Sequence, residues 1–246
     1  MLGLGEAGSR IASDLAAAGA EVRGYDPAGV EAPGVEVVPE AATAARDCDV
    51  VLSLNSARVA LDAATAAFPA MSGEAVYADL NTGSPELKQE LARHASDAGR
   101  RFADVALLGG VPMRGVGTPA LASGAGAQAF ADALRPFGMP VEVVSDRAGD
   151  AAAMKLVRSV FMKGLAASVV ESIEAAEAAG HPDWLKREIA EVIGEPLLDR
   201  LLEGSRRHAV RRAEEMKAAQ DLLVRLGVEP RIAAASAAVL ADLAGT

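Results

Sequence analysis

Six residues near the start of the chain, Gly3-Leu4-Gly5-Glu6-Ala7-Gly8, constrain the fold more than any other segment. Three glycines at this spacing build a tight turn from strand to helix: the first turns the backbone, the second leaves it bare, and the third lets helix pack on strand. An amphipathic helix follows, with Ile11 and Leu15 among small alanines, and Gly19 stops it. The next run, Glu21-Val22-Arg23-Gly24-Tyr25, reads as a strand and ends in Asp26, 18 residues after Gly8. Glycine loop, helix, strand and acid in this order form a dinucleotide fingerprint, to which Leu4, Glu6 and Ala7 contribute loop backbone. Helix N-terminal amides hold the phosphates, and the acid accepts bonds from the adenosine ribose. A 2′-phosphate at Asp26 would meet a like charge with no arginine following, so NAD is favoured over NADP. Only Met1 and Leu2 precede Gly3, so the strand feeding the turn is expected to be missing or stunted, as if the start were read a few codons late.

Beyond Asp26, short apolar runs alternate with helical stretches: Val35-Val38, Asp49-Leu54, Ala75-Leu80, Phe102-Leu108, Ala120-Ser123 and Val141-Ser145. Val50-Val51-Leu52 is apolar on both faces, as a strand covered by helices on both sides must be. After Gly149 the rhythm ends. Residues 149–179 read as one helix of about 45 Å, and further helices fit Pro182 to Ile193, Pro196 to Leu202, Ser205 to Leu226 and Pro230 to Leu243. The expected fold is α/β: a Rossmann-type doubly wound parallel sheet over residues 1–147, then an all-helical C-terminal domain over residues 148–246 for substrate binding and dimerisation.

Composition narrows the function classes. The net charge is -10, and residues 1–146 carry 19 acidic against 10 basic side chains. Such a surface repels nucleic acid, and only 3% of residues are aromatic, too few for base stacking. The single cysteine excludes an internal disulfide. With no leader pattern or long uncharged apolar run, the expectation is a cytoplasmic protein with no membrane partner. His94, His181 and His208 are too dispersed in sequence to suggest a metal site.

On the long helix Lys155 has Arg158 at i+3 and Ser159 at i+4 on one face, while Val157, Val160, Phe161 and Leu165 are apolar. Burial lowers an ammonium pKa and brings proton transfer toward neutrality. The plain alternative is a lysine that snorkels or pairs with an acid. A cluster of Arg206, Arg207, His208, Arg211 and Arg212 could clamp a substrate carboxylate or phosphate, or could line a solvated helix paired with Glu214 and Glu215.

Four motifs in order resemble the β-hydroxyacid dehydrogenase family, which includes 3-hydroxyisobutyrate and 6-phosphogluconate dehydrogenases. They are the opening Leu2 to Gly8, the segment Asp79-Leu80-Asn81-Thr82-Gly83-Ser84-Pro85, the loop Asp104-Val105-Ala106-Leu107-Leu108-Gly109-Gly110, and Gly149 followed six residues later by Lys155. The resemblance implies that Gly3, Gly5 and Gly8 bind the pyrophosphate, that Leu54 and Asn55 flank the cofactor, and that Thr82 lies near the nicotinamide ribose. Asn55, Thr82 or Ser84 could instead only cap a helix. Lys155 matches the family's general acid/base. The family's asparagine four residues later is Ser159 here, and its serine before the paired glycines is Leu108. The stretch Lys155 to Leu165 is similar to a bacterial subgroup with a distinct helical C-terminal domain.

Taken together, the expected activity is NAD-dependent hydride transfer to or from a small anionic hydroxyacid in a homodimer. Lys155 would be the acid/base and Ser159 would orient the oxygen. Leu108, Gly109, Gly110, Arg158 and Arg212 would form the substrate side. The alternatives are an imine or carbonyl reductase, against which the lysine argues, and a non-catalytic dinucleotide sensor.

Overall fold

The computed structural model describes residues 1–245, which form two compact units, residues 1–153 and the residues from Met154 onward. The first unit opens with α1 (Glu6–Ala17), β1 (Arg23–Gly24), β2 (Glu36–Val37), α2 (Ala41–Ala45), β3 (Val50–Ser53), α3 (Ala60–Ala67) and β4 (Val76–Asp79). It continues with α4 (Pro85–Asp97), β5 (Arg101–Leu107), α5 (Val111–Arg114), β6 (Ala120–Ser123), α6 (Ala127–Leu134) and β7 (Val141–Ser145).

Strands β3 to β7 pair in sequence order, and β1 pairs with β2. The strand expected to be missing or stunted is present as a stunted one. Leu2 makes parallel bridges to Tyr25 and to Ser53, with Leu2 N donating to Leu52 O at 2.7 Å and Leu54 N to Leu2 O at 2.8 Å. One residue thus joins the two strand sets, and it delivers Gly3 to the sheet's C-terminal edge.

The parallel sheet expected is present, with one antiparallel pair, β5 and β6. A parallel pair needs a crossover that carries the chain back to the strand's start. The segment holding α5 instead turns back where β5 ends, closed by Leu108 N donating to Pro119 O at 2.8 Å.

Strand alternation feeds two cores. Val76 and Ala78 of β4 face a cluster with Ile11 and Leu15 of α1 and Phe130 and Leu134 of α6. Tyr77, pointing the other way, packs with Ala64 of α3 and Leu91 and Ala95 of α4, its ring edge-on to Phe68 at 5.1 Å. Helices therefore cover both faces, which is why these strands read as continuous apolar runs.

The remaining helices are α7 (Asp150–Ala179), α8 (Pro182–Ile193), α9 (Glu195–Arg207), α10 (Ala209–Arg225) and α11 (Arg231–Asp242). In the second unit, Ala166, Val169 and Ile173 of α7 pack with Leu198 and Leu201 of α9 and with Leu185 and Ile189 of α8. Pro182 opens α8 after Gly180 at φ 81°. The single helix expected from Ser205 to Leu226 is broken at His208, where φ is -124° and ψ 26°. Among the described residues no helix is long and apolar enough to cross a membrane.

Candidate functional site

The glycine loop has the geometry its sequence requires. Gly3 adopts φ 95°, and a Cβ there would lie 2.4 Å from the Leu54 carbonyl oxygen. A Cβ on Gly8 would lie 2.1 Å from the Gly3 carbonyl oxygen, so both positions close strand against helix. Gly5 differs. A Cβ there would meet nothing within 4 Å, and no side chain caps α1 at Gly5. The first-turn amides of Glu6 and Ala7 therefore sit behind bare backbone, the cradle a pyrophosphate fills.

Asp26 is tied to the same loop. Its Oδ2 accepts from Leu4 N at 2.8 Å and its Oδ1 from Ala28 N at 2.9 Å. The carboxylate is thus fixed beside the loop, with lone pairs remaining for ribose hydroxyls. These residues fit a dinucleotide.

Across the C-terminal edge of the sheet runs a polar chain, exposed at Asn55 and buried from Ser53 and Asn81 to Ser123. Asn55 Oδ1, after β3, accepts from Asn81 Nδ2 at 3.0 Å and from Ser56 N at 2.7 Å, and Asn55 Nδ2 donates to Ser53 Oγ at 3.2 Å. Asn81 Nδ2 also donates to Asp79 Oδ1. Asp79 Oδ2 accepts from Lys88 Nζ at 2.6 Å, which lies 3.4 Å from Asp104 Oδ1. Asp104 Oδ2 then accepts from Ser123 Oγ at 3.1 Å, Gly149 N at 3.1 Å and Ala152 N at 3.0 Å. One carboxylate on β5 thereby caps α7, at a turn where a Cβ on Gly149 would lie 2.8 Å from Pro85 O.

Lys88 is 1% exposed. Burial works against its charge, but Asp79 and then Asp104 outweigh it and hold its pKa above the ordinary value. A signal for it existed. Pro85, Lys88, Leu91 and Ala95 form the buried stripe of α4, so the lysine occupies a core-facing position. Ser84 caps α4, accepting from Leu87 N at 3.3 Å, and Thr82 lies between β4 and α4. Beyond β5, Leu108 is half-buried, whereas Gly109 and Gly110 are exposed and Gly110 is the N-cap of α5.

In the second unit Lys155, Ser159 and Lys163 fall four residues apart along one stripe of α7. Ser159 is 1% exposed and donates its hydroxyl to Glu215 of α10. Lys163 Nζ donates to Glu215 Oε1 at 2.9 Å and to Ser159 Oγ at 3.2 Å. Burial pushes the Glu215 carboxyl up, but Lys163 and then Lys155, with bonds from Ser159 and Lys163, bring it below its ordinary value.

One of the two readings of the arginine cluster pairs it with Glu215 on a solvated helix. Glu215 is buried and pairs with Lys163 instead. Arg212, half-buried, donates from Nη1 to Ser205 Oγ at 2.8 Å, and burial, then Arg211, lower its pKa while Glu215 opposes. Arg158 is exposed. Arg206 and Arg207 lie on α9 and Arg211 and Arg212 on α10, so the cluster expected on one helix is divided.

A glycine loop at a bare helix N-terminus, with an acid fixed beside it at the end of the next strand, defines a dinucleotide-binding protein. The chain belongs to the family described as the NAD binding domain of 6-phosphogluconate dehydrogenase, which matches residues 1–139, and residues 176–243 match a Domain of unknown function (DUF1932). A 3-hydroxyisobutyrate dehydrogenase of Drosophila melanogaster mitochondria is 31% identical over 118 residues, 45% of this chain and 36% of that enzyme. Among solved structures, the conserved protein MTH1747, of unknown function and described as similar to 3-hydroxyacid dehydrogenases, is 30% identical. The match covers 98% of this chain and 95% of that one, with a TM-score of 0.73. The 3-hydroxyisobutyrate dehydrogenase of Mycobacterium tuberculosis shares the fold at 21% identity and TM-score 0.82, over 99% and 92% of the two chains. Imine reductases share it too, that of Aspergillus terreus at 17% identity and TM-score 0.68, over 94% and 87%.

Proposed function

We propose that this protein is an NAD-dependent oxidoreductase acting between a small anionic hydroxyacid and its carbonyl counterpart, with Lys155 as general acid/base. The observation that carries the proposal is the pairing, in one chain, of an open glycine cradle at Gly5 with a lysine on a stripe of α7 that ends at a buried carboxylate. The family membership and the hydroxyacid dehydrogenase relatives support the same reading.

Bound at the loop, NAD would supply the hydride acceptor. The amides at the start of α1 would hold its pyrophosphate, and Asp26 its adenosine ribose, where a 2′-phosphate would add a second negative charge. Leu54, Asn55 and Thr82 would flank it. Lys155 would take the substrate hydroxyl proton and return it in reduction. Exposed amides at Gly109 and Gly110, with Arg158 or Arg212, would bind the substrate carboxylate. Ser159 would serve the substrate less directly than in relatives with asparagine there, because its hydroxyl is directed to Glu215.

A homodimer belongs to the same proposal, supported by the exposed Val157, Phe161 and Val210, and light scattering at about twice the 25.0 kDa chain mass is the check. The activity is tested by a screen of hydroxyacids with NAD and NADP, read at the reduced nicotinamide absorbance. Turnover of a hydroxyacid with NAD supports the proposal. Reduction of cyclic imines alone favours the imine reductase reading.

A further inference from the structure

Among the described residues of the second unit, Glu215 is a buried acid for which the reaction above has no use. It is 5% exposed, in an environment where an unpaired charge is not tolerated. Its partners come from a single stripe of another helix. Ser159 and Lys163, one turn apart on α7, both reach its Oε1, and Lys155, one turn earlier on that stripe, acts on it through charge. On its own helix Arg212 acts on it through charge and is braced by Ser205 of α9. Three cations, Lys163, Lys155 and Arg212, thus act on one carboxylate.

We propose that Glu215 is the positioning residue for Lys155: delivered by α10, its carboxylate gathers the Lys155, Ser159 and Lys163 stripe, and its charge sets the proton affinity of Lys155. This rests on the reading of Lys155 as the acid/base. It also gives a role to the segment of unknown function. That segment supplies the anion without which the stripe would hold only like charges.

Physically, a nearby anion favours a protonated amine, and Lys155 and Glu215 act on each other through charge. Removing the anion takes away the charge that favours the protonated amine. Lys155 would then release its proton at lower pH, and Ser159 and Lys163 would lose the acceptor that holds their side chains. A purely structural carboxylate would change stability and leave the titration of Lys155 alone.

The test is an NMR pH titration of the Lys155 side-chain nitrogen in the full-length protein, assigned by its loss in Lys155→Ala. It is run for wild type, Glu215→Gln and Glu215→Asp, beside NAD affinity and melting temperature. The expected result is a midpoint at lower pH in Glu215→Gln and a smaller step in Glu215→Asp, with NAD affinity within about twofold of wild type. Should Glu215→Gln not fold, Glu215→Asp decides, since it keeps the charge and shortens its reach by one methylene. A Lys155 midpoint unchanged in the folded variants, whatever their melting temperature, overturns the proposal. Turnover of Lys155→Ala is a separate readout: if it persists, the acid/base reading fails even where the coupling to Glu215 is found.

Discussion

The two units each bury a lysine against carboxylate, and the two lysines end with opposite electrostatics. Lys88 lies between Asp79 and Asp104 on neighbouring strands, and two anions more than offset the burial of one cation. Lys163 shares a single carboxylate with Ser159 and stands near Arg212 and Arg211, so burial prevails, opposed by Glu215, and its pKa falls below the ordinary value. The first arrangement is closed, with its carboxylates also holding Asn81 and the start of α7. The second carries excess positive charge, as a site for an anion would. Burial alone therefore does not set the direction of a lysine's shift; the anions and cations around it do.

Breaking the closed arrangement should have the larger effect on stability. Lys88→Met leaves two carboxylates buried without their cation, and removing one partner of such a pair costs about 3–5 kcal/mol. We expect a loss of that order in denaturant unfolding. A loss under 1 kcal/mol would mean that water reaches Asp79 and Asp104. The linkage has a definite sign. Because the Lys88 pKa is raised, its contribution is in place at neutral pH and is lost only as pH rises past 10.5 through the raised value.

A smaller effect concerns cofactor choice. With Asp26 beside the loop, we expect NAD to bind at least about tenfold more tightly than NADP, equivalent to about 1.4 kcal/mol. Asp26→Ala should narrow the ratio. Calorimetric titration of both cofactors checks it, and equal affinities in the wild type would remove the role given to Asp26.

The smallest effect sharpens the comparison from the acid side. The Glu215 carboxyl is held below its ordinary value, so its contribution is present above pH 4.5 and is lost as pH falls below that through the lowered value. The stability gap between wild type and Glu215→Gln should therefore narrow on acidification. Chemical denaturation at neutral pH and at successively lower pH measures it, and a constant gap would contradict the pairing.

Local pattern carried the first unit's frame and the long helix. The glycine loop, the acid after β1 and the two-faced apolar strands each depend on neighbours within a few residues, which is what periodicity reports. Gly149 and Lys155 stand out through the family resemblance rather than through periodicity. What pattern could not show are contacts made by the fold. Lys88 meets Asp79 and Asp104 only once β4, β5 and α4 are assembled, and Glu215 meets Lys163 across 52 residues of chain. The antiparallel β6 depends on where one connection turns, and the break at His208 ends a pattern that is helical on both sides.

The central claim is that Lys155 carries proton transfer while the glycine loop carries cofactor affinity. It is tested by measuring turnover, NAD dissociation constant and melting temperature together for wild type and Lys155→Ala, once a substrate is in hand. General acid/base catalysis is typically worth about 10² to 10⁴ in rate, so we expect turnover to fall by that factor with NAD affinity nearly unchanged. Turnover within a few fold of wild type would contradict the account.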